Sequence, residues 1–395
     1  MSERACWEGK RIMGFRARRS AAEETAPSAD GTERAGVRDG GRGGIHVRDR
    51  GRGGVRDRGR GRSSGRGFGR LRRTLLAVLI AGAVVVPVSA AAAHPEIPAP
   101  APAALAPVTA ATLEATYAAN RANAAEASRM AGTHGDHARA AADRSMAAPS
   151  RDFLTFDGRG RGRAVEVFGD LATADHIAVL VPGSDTTLDT YGRFRAGALA
   201  LHRRTGPRTA VIAWLGYETP RTISTTALTA TRAKEAAPQL RRFINELRDL
   251  RELSENRELH TSSHTSPGTS SHISLLCHSY GTVVCARAAG DLDVDDIALL
   301  GSPGTGADSA AALHTPARVW ASRGADDWVA DVPHTRADLF GTTVGFGTDP
   351  VSPSFGAHVF AAGDGGHSDY FRPGSVSLDN LARIVLGDTS EVTRA

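Results

Sequence analysis

The chain has 395 residues, 41% of them hydrophobic, enough for one large α/β domain with appendages or for two average domains. Its formal charge of +5 is unevenly spread: residues 1–73 hold nineteen Arg and one Lys against nine acidic residues, a net of +11, so the remainder carries −6. The basic balance belongs to an arm, and nothing in the mildly acidic body suggests a nucleic-acid surface. Three cysteines (Cys6, Cys277 and Cys285) supply neither a disulfide framework nor metal-type spacing, and the last two are expected as a buried pair of free thiols.

Residues 1–73 form the basic arm. Within it, Val47-Arg-Asp-Arg-Gly-Arg-Gly-Gly54 is followed by its near copy Val55-Arg-Asp-Arg-Gly-Arg-Gly-Arg62. Such composition buries too little apolar surface to fold and is expected to be disordered. Arg/Gly repeats also bind RNA, but Phe68 is the lone aromatic among them. Residues 74–93 then give an apolar run after Arg72-Arg73, ending in small residues before His94-Pro95, the pattern of a secretory signal. Cleavage there starts the mature protein near residues 91–94; an uncleaved run would instead anchor the chain in a membrane. A signal so far into the chain also suggests a true start downstream. Residues 94–107 alternate Pro and Ala as a stiff linker. Residues 108–150 are Ala-rich and read as a helical preface of two helices broken at Ala131–Asp136.

From residue 151 to 390 strands and helices alternate, which predicts an α/β fold with a mostly parallel central sheet and helices on both faces. Strands are expected at Phe153–Phe156, Ala164–Phe168, Ile177–Val181, Thr209–Ala213, Ile273–Cys277, Ile297–Leu300, Val319–Ser322 and Val359–Ala361. The runs at Ile177 and Ile273 are continuously apolar, as central parallel strands are. Helices are expected at Tyr191–Arg204, Ala227–Leu253 with Pro238 as a break, Gly281–Ala289 and Ser377–Leu386. His260 and His264 have the spacing of a helical metal pair, but Ser254–His272 is so rich in Ser, Thr, Pro and Gly that it reads as a loop.

The chemistry centres on Cys277-His-Ser279-Tyr-Gly281, between an apolar strand and an Ala/Val-rich helix. This is one residue from the G-x-S-x-G elbow, in which small flanking residues let a serine sit on a strained strand-to-helix turn. A serine nucleophile needs a base, and the base needs an orienting acid. After the strand at Val319 comes Gly324-Ala-Asp326-Asp327-Trp328-Val329. The acid is expected three residues past the glycine, at Asp327 and not Asp326. After the strand at Val359 comes His367, in a glycine-rich loop. The expected oxyanion donors are the backbone N–H groups of Tyr280 and of Ser184, the latter in the turn Val181-Pro-Gly183-Ser184.

Tyr117-Ala-Ala-Asn-Arg121, Phe153-Leu-Thr-Phe-Asp157, Glu166-Val-Phe-Gly-Asp-Leu171, Val181-Pro-Gly183, the elbow and Gly366-His-Ser-Asp-Tyr-Phe371 together resemble an actinobacterial-type family of α/β-hydrolase proteins, largely of unknown function. The resemblance covers about residues 110–387. It implies the α/β-hydrolase fold and a triad of Ser279, Asp327 and His367; the departure is Cys277, where Gly is commoner. The expected function is an exported serine hydrolase of esterase type acting through an acyl-enzyme, with no metal and no cofactor. An acyltransferase with the same triad, or a non-catalytic surface protein on this scaffold, are the alternatives. Only Ser302–Pro316 is available for a lid. That points to a small-molecule or cell-envelope ester, with no nucleic-acid partner, membrane contact only through an uncleaved signal, and the oligomeric state open.

Overall fold

The structure, a computed structural model, describes residues 97–261, 271–339 and 342–395. The basic arm, the signal-like run and Cys6 lie outside the described residues, as does the stretch holding His264. The chain divides into two units, Met1–Gly67 and Phe68–Ala395, and all described residues belong to the second.

Two helices open the described chain, α1 (Leu113–His134) and α2 (His137–Met146). Gly135, at φ 92, ends α1 in a left-handed turn that a side chain would strain, and the Asp136 carboxylate caps α2 by accepting the Arg139 N–H. Strands β1 (Asp152–Asp157), β2 (Arg163–Phe168) and β3 (His176–Val181) follow, then α3 (Tyr191–Thr205) and β4 (Thr209–Leu215). Next come α4 (Thr231–Thr261), β5 (His272–His278), α5 (Gly281–Ala288), β6 (Asp296–Leu300) and β7 (Arg318–Ser322). A hairpin, β8 (Ala337–Leu339) and β9 (Thr342–Val344), precedes β10 (His358–Val359) and α6 (Val376–Val385).

Eight strands form one sheet in the order β1-β2-β4-β3-β5-β6-β7-β10. Only β2 runs against its neighbours; the pairings from β4 to β10 are all parallel. This is the α/β-hydrolase fold.

Side chains of the central strands alternate between two cores, as the two-residue period of a strand requires. Ile177, Val179 and Val181 face the core shared with α4 and α5, whereas Ala178 and Leu180 face the one shared with α3 and α6. Each buried Val, Leu or Ile contributes about 1.5–3 kcal/mol, so a register slip of one residue would forfeit both faces at once.

Three expectations are corrected here. The helix begins at Thr231, not Ala227, with a separate 3₁₀ turn at Thr225–Leu228, and its backbone runs on to Thr261 through the first part of the expected loop. Pro238 lies inside α4 and does not break it. Ala233, Ala236, Ala237, Leu240, Ile244, Leu247 and Leu250 all bury along one face, and that packing outweighs the one backbone bond a proline forgoes. Lastly, Cys277 and Cys285 are not free thiols but a disulfide. Both are buried, and the elbow turns α5 back beside β5, bringing their Cα atoms to 6.5 Å.

Candidate active site

Ser279 stands between the end of β5 and the start of α5 with φ 54, a left-handed conformation that a residue with a side chain rarely adopts. The Ser279 N–H donates to Leu300 O (2.9 Å), and Ser279 O accepts from the Thr282 N–H (3.0 Å) and hydroxyl (2.7 Å). The glycine at 281 is required by contact: an added Cβ would lie 2.6 Å from Val181 O. Gly183, in the turn after β3, passes equally close, since a Cβ there would lie 2.5 Å from the Ser279 Cβ. Tyr217 steadies this turn by donating its hydroxyl to Pro182 O at 2.7 Å. The backbone N–H groups of Ser184, next to Gly183, and of Tyr280, next to Ser279, have no hydrogen-bond partner among the described residues.

His367 reaches Ser279 from the loop after β10, with Nε2 2.9 Å from the serine Oγ. Its Nδ1 donates to Asp327 Oδ1 at 2.8 Å. Asp327 follows β7, its side chain fully buried, and also accepts the Val329 N–H (2.9 Å) and the Tyr370 hydroxyl (2.6 Å). Burial alone would raise the Asp327 pKa, but hydrogen bonds from His367, Tyr370 and the Val329 N–H outweigh it and hold the carboxyl below its usual range. Asp326, one residue earlier, is exposed. The structure thus brings Ser279, His367 and Asp327 into one hydrogen-bonded line.

The acid loop and the histidine loop are laced together. Ala325 N–H donates to Gly363 O (3.0 Å), and the Ser322 hydroxyl donates to Phe360 O (2.8 Å). Gly324 packs so tightly on Gly365 O that no side chain fits. Tyr370 spans the seam, accepting the Gly324 N–H (3.1 Å) while donating to Asp327; burial first, and the adjacent carboxylate second, raise its pKa.

Sequence reasoning missed His278, just before the serine. Its Nε2 donates to the backbone carbonyl of His367 at 2.6 Å, and its ring lies 4.6 Å from the His367 ring. Trp328 covers the other approach at the same distance, while itself half exposed. Burial, then the charge that His367 can carry, push His278 down to about 3, so it stays neutral and its tautomer is fixed. No sequence motif signals this contact, because it joins a strand end to a loop 89 residues away.

A buried carboxylate, a tautomer-fixed imidazole and a strained serine hydroxyl in line can transfer a proton off the serine as it attacks an electrophile. The strand order and crossovers that carry this arrangement are those of the α/β-hydrolase fold. Residues 157–337 match the family model described as alpha/beta hydrolase, in keeping with the resemblance read from the sequence. The chain is 31% identical over 262 residues to two uncharacterized proteins of Mycobacterium tuberculosis, MT2140 (strain CDC 1551) and Rv2079 (strain H37Rv). The alignment covers 58% of this chain but only 37% of those proteins, so the chain spans little more than a third of their length. Among solved structures, XC6422 from Xanthomonas campestris, described as a serine hydrolase without a lid, is 16% identical with a TM-score of 0.37 over 61% of this chain and 95% of its own. The esterase LipW from Mycobacterium marinum is 15% identical with a TM-score of 0.36, over 68% of this chain and 90% of its own.

Proposed function

We propose that the protein is an exported serine hydrolase that cleaves carboxylic esters through an acyl-enzyme. The observation that carries this reading is Ser279 at φ 54 with its Oγ 2.9 Å from His367 Nε2. Ser279 Oγ attacks the ester carbonyl as His367 Nε2 takes its proton. The imidazolium is stabilised by Asp327, and the oxyanion accepts hydrogen bonds from the Tyr280 and Ser184 N–H groups. Collapse of the tetrahedral intermediate breaks the C–O bond, and the leaving alcohol takes the proton from His367. Water, deprotonated by the same imidazole, then releases the acid and restores Ser279.

Export is supported by the signal-like run over residues 74–93 and by the Cys277–Cys285 bridge, a bond that persists in oxidising compartments. A small-molecule or cell-envelope ester is favoured by the connection from β6 to β7, which holds one short 3₁₀ turn (Ala311–Leu313) where a lid would otherwise stand.

A fluorophosphonate probe tests the core of this proposal. It should label the wild type and leave Ser279→Ala unlabelled at an unchanged melting temperature. Equal labelling of both proteins would refute the assignment.

A further inference from the structure

A second concave surface, a cleft of about 1240 Å³, lies where the α1–α2 turn meets the β1–β2 turn, the loop after β3 and the strap after β4. The three latter segments are hydrogen-bonded into one frame. Leu188 N–H donates to Arg161 O (3.2 Å), Asp185 N–H to Pro220 O (2.9 Å), Thr222 N–H to Asp185 Oδ2 (3.1 Å) and the Thr219 hydroxyl to Thr186 O (2.8 Å). The loop that lines the cleft at Thr187 and Thr190 is the one that begins beside Ser279 at Gly183.

The charges of this cleft are unevenly matched. Its acidic residues are engaged: Glu218 with Arg232 (3.3 Å), Asp189 with Arg139 (3.7 Å), and Asp136 as the α2 cap. Arg159 and Arg163 both bond Asp157, at 2.8 and 2.9 Å. Arg161 and Arg221 also line the cleft, yet neither makes an ion pair among the described residues. Arg161 is half-buried, and its Nη1 donates a long 3.4 Å hydrogen bond to Thr219 O. Burial first, and then the positive charge of Arg221, lower its pKa. The two guanidinium groups thus lie within reach of each other's field. The Asp185 and Glu218 carboxylates offset part of it, but neither forms an ion pair with Arg161 or Arg221 among the described residues, so an anion in the cleft would relieve the remaining repulsion.

We propose that this cleft binds a phosphate-class anion, gripped between Arg161 and Arg221. Two unpaired guanidinium groups match a dianion, whereas one carboxylate would neutralise only half of the charge. Their planar forks also suit phosphate oxygens in pairs. The volume exceeds what a lone phosphate fills, so the anion is one end of a larger molecule. Because the cleft and Ser279 share a loop, that molecule is best read as an ester whose alcohol or acyl part carries the phosphate. This extension rests on the serine-hydrolase reading; phosphate binding itself does not.

Calorimetric titration of the full chain at fixed ionic strength, with inorganic phosphate and with acetate, tests the binding. Phosphate should bind at least about tenfold more tightly than acetate, and Arg161→Gln or Arg221→Gln should each weaken phosphate roughly tenfold, with far-UV circular dichroism showing both variants folded. Equal phosphate affinity in the wild type and the double variant, or acetate binding as tightly as phosphate, overturns the proposal. The extension is read from nitrophenyl esters with and without a distal phosphate. The wild type should prefer the phosphorylated ester through a lower KM, and the double variant should lose that preference; no preference in the wild type sinks the extension. Ser279→Ala separates the two readings, since it should abolish turnover while phosphate still binds.

Discussion

The His367 imidazole is held from three sides: Asp327 at Nδ1, and the rings of His278 and Trp328 at 4.6 Å each. Adjacent carboxylates make the role of the acid testable. On the proposed serine-hydrolase reading, Asp327→Asn removes the charge that would fix the tautomer and stabilise the imidazolium, and should cut kcat by roughly three to four orders of magnitude. Asp326→Asn, at an exposed side chain, should change kcat by less than about threefold. Steady-state rates on folded variants decide it, and a crippled Asp326→Asn would move the acid by one residue. His278 gives a stability prediction with a definite sign. Its pKa is about 3 in the fold, while an unfolded histidine titrates near 6.5. Its contribution is complete above pH 6.5 and is lost as pH falls toward 3, because the unfolded chain gains a proton that the fold refuses. His278→Gln keeps a donor for the His367 carbonyl and removes the titration, so its melting temperature should fall less than that of the wild type between pH 7 and pH 5. Parallel curves would show that His278 is not the group responsible. The line of Ser279, Asp327 and His367 was legible because each follows a strand and the elbow has a local pattern. His278 was not, since its role exists only once the loop carrying His367 returns to β5.

At the scale of elements, the elbow owes its shape to two close approaches and one bond. Gly281 and Gly183 let the turn pass the backbone of Val181 and the side chain of Ser279, and the Cys277–Cys285 bridge ties the end of β5 to α5 across the turn. Seven strands of the main sheet could be read from apolar runs, most of them buried enough to leave few polar positions; the eighth, expected at Val359–Ala361, is instead the short and partly exposed pair His358–Val359. The β8–β9 hairpin could not, as its three-residue strands are too short for a period to register. The bridge escaped sequence reading because eight residues along a straight path exceed the reach of a disulfide, and only the reversal at Ser279 closes the distance. Loop-closure entropy for so short a loop corresponds to about 2–3 kcal/mol. Cys277→Ser/Cys285→Ser should therefore lower the unfolding free energy by about that amount in urea titrations, and an unchanged midpoint would mean the bridge contributes nothing to the fold. Intact-mass measurement of secreted protein checks both the bridge and the proposed export. The mature chain should start near residues 91–94 and gain about two mass units on reduction.

For the molecule as a whole, the Ala-rich helices before the sheet are part of its construction. Leu113 and Tyr117 of α1 enter one core, whereas Ala124 and Ala127 of α1 and Met146 of α2 enter the other, so the pair wraps the β1 edge of the sheet. Polar groups fix the same junction. Arg139 is buried with Asp143 and donates to the carbonyls of Gly158 and Gly160, and Arg151 is buried against Glu166 of β2. Asn120 carries the most direct test. It is buried, and its Nδ2 donates to Phe153 O (2.9 Å), Leu154 O (3.0 Å) and Thr116 O (3.1 Å). Asn120→Ala would leave two carbonyls of β1 without this donor in a site too closed for water to replace it easily. An unsatisfied buried polar group costs about 1–3 kcal/mol, so the variant should lose about that much stability. The loss should appear in the unfolding of the whole unit, because α1 shares both cores with the sheet. Urea unfolding followed in parallel by far-UV circular dichroism and by tryptophan fluorescence reads both points, since Trp214 on β4 and Trp320 on β7 lie in the two cores of the sheet. Coincident transitions shifted together are expected. If the helical signal melts first while the tryptophan transition stays at its wild-type midpoint, α1 and α2 are an appendage to the sheet and the shared-core account is wrong.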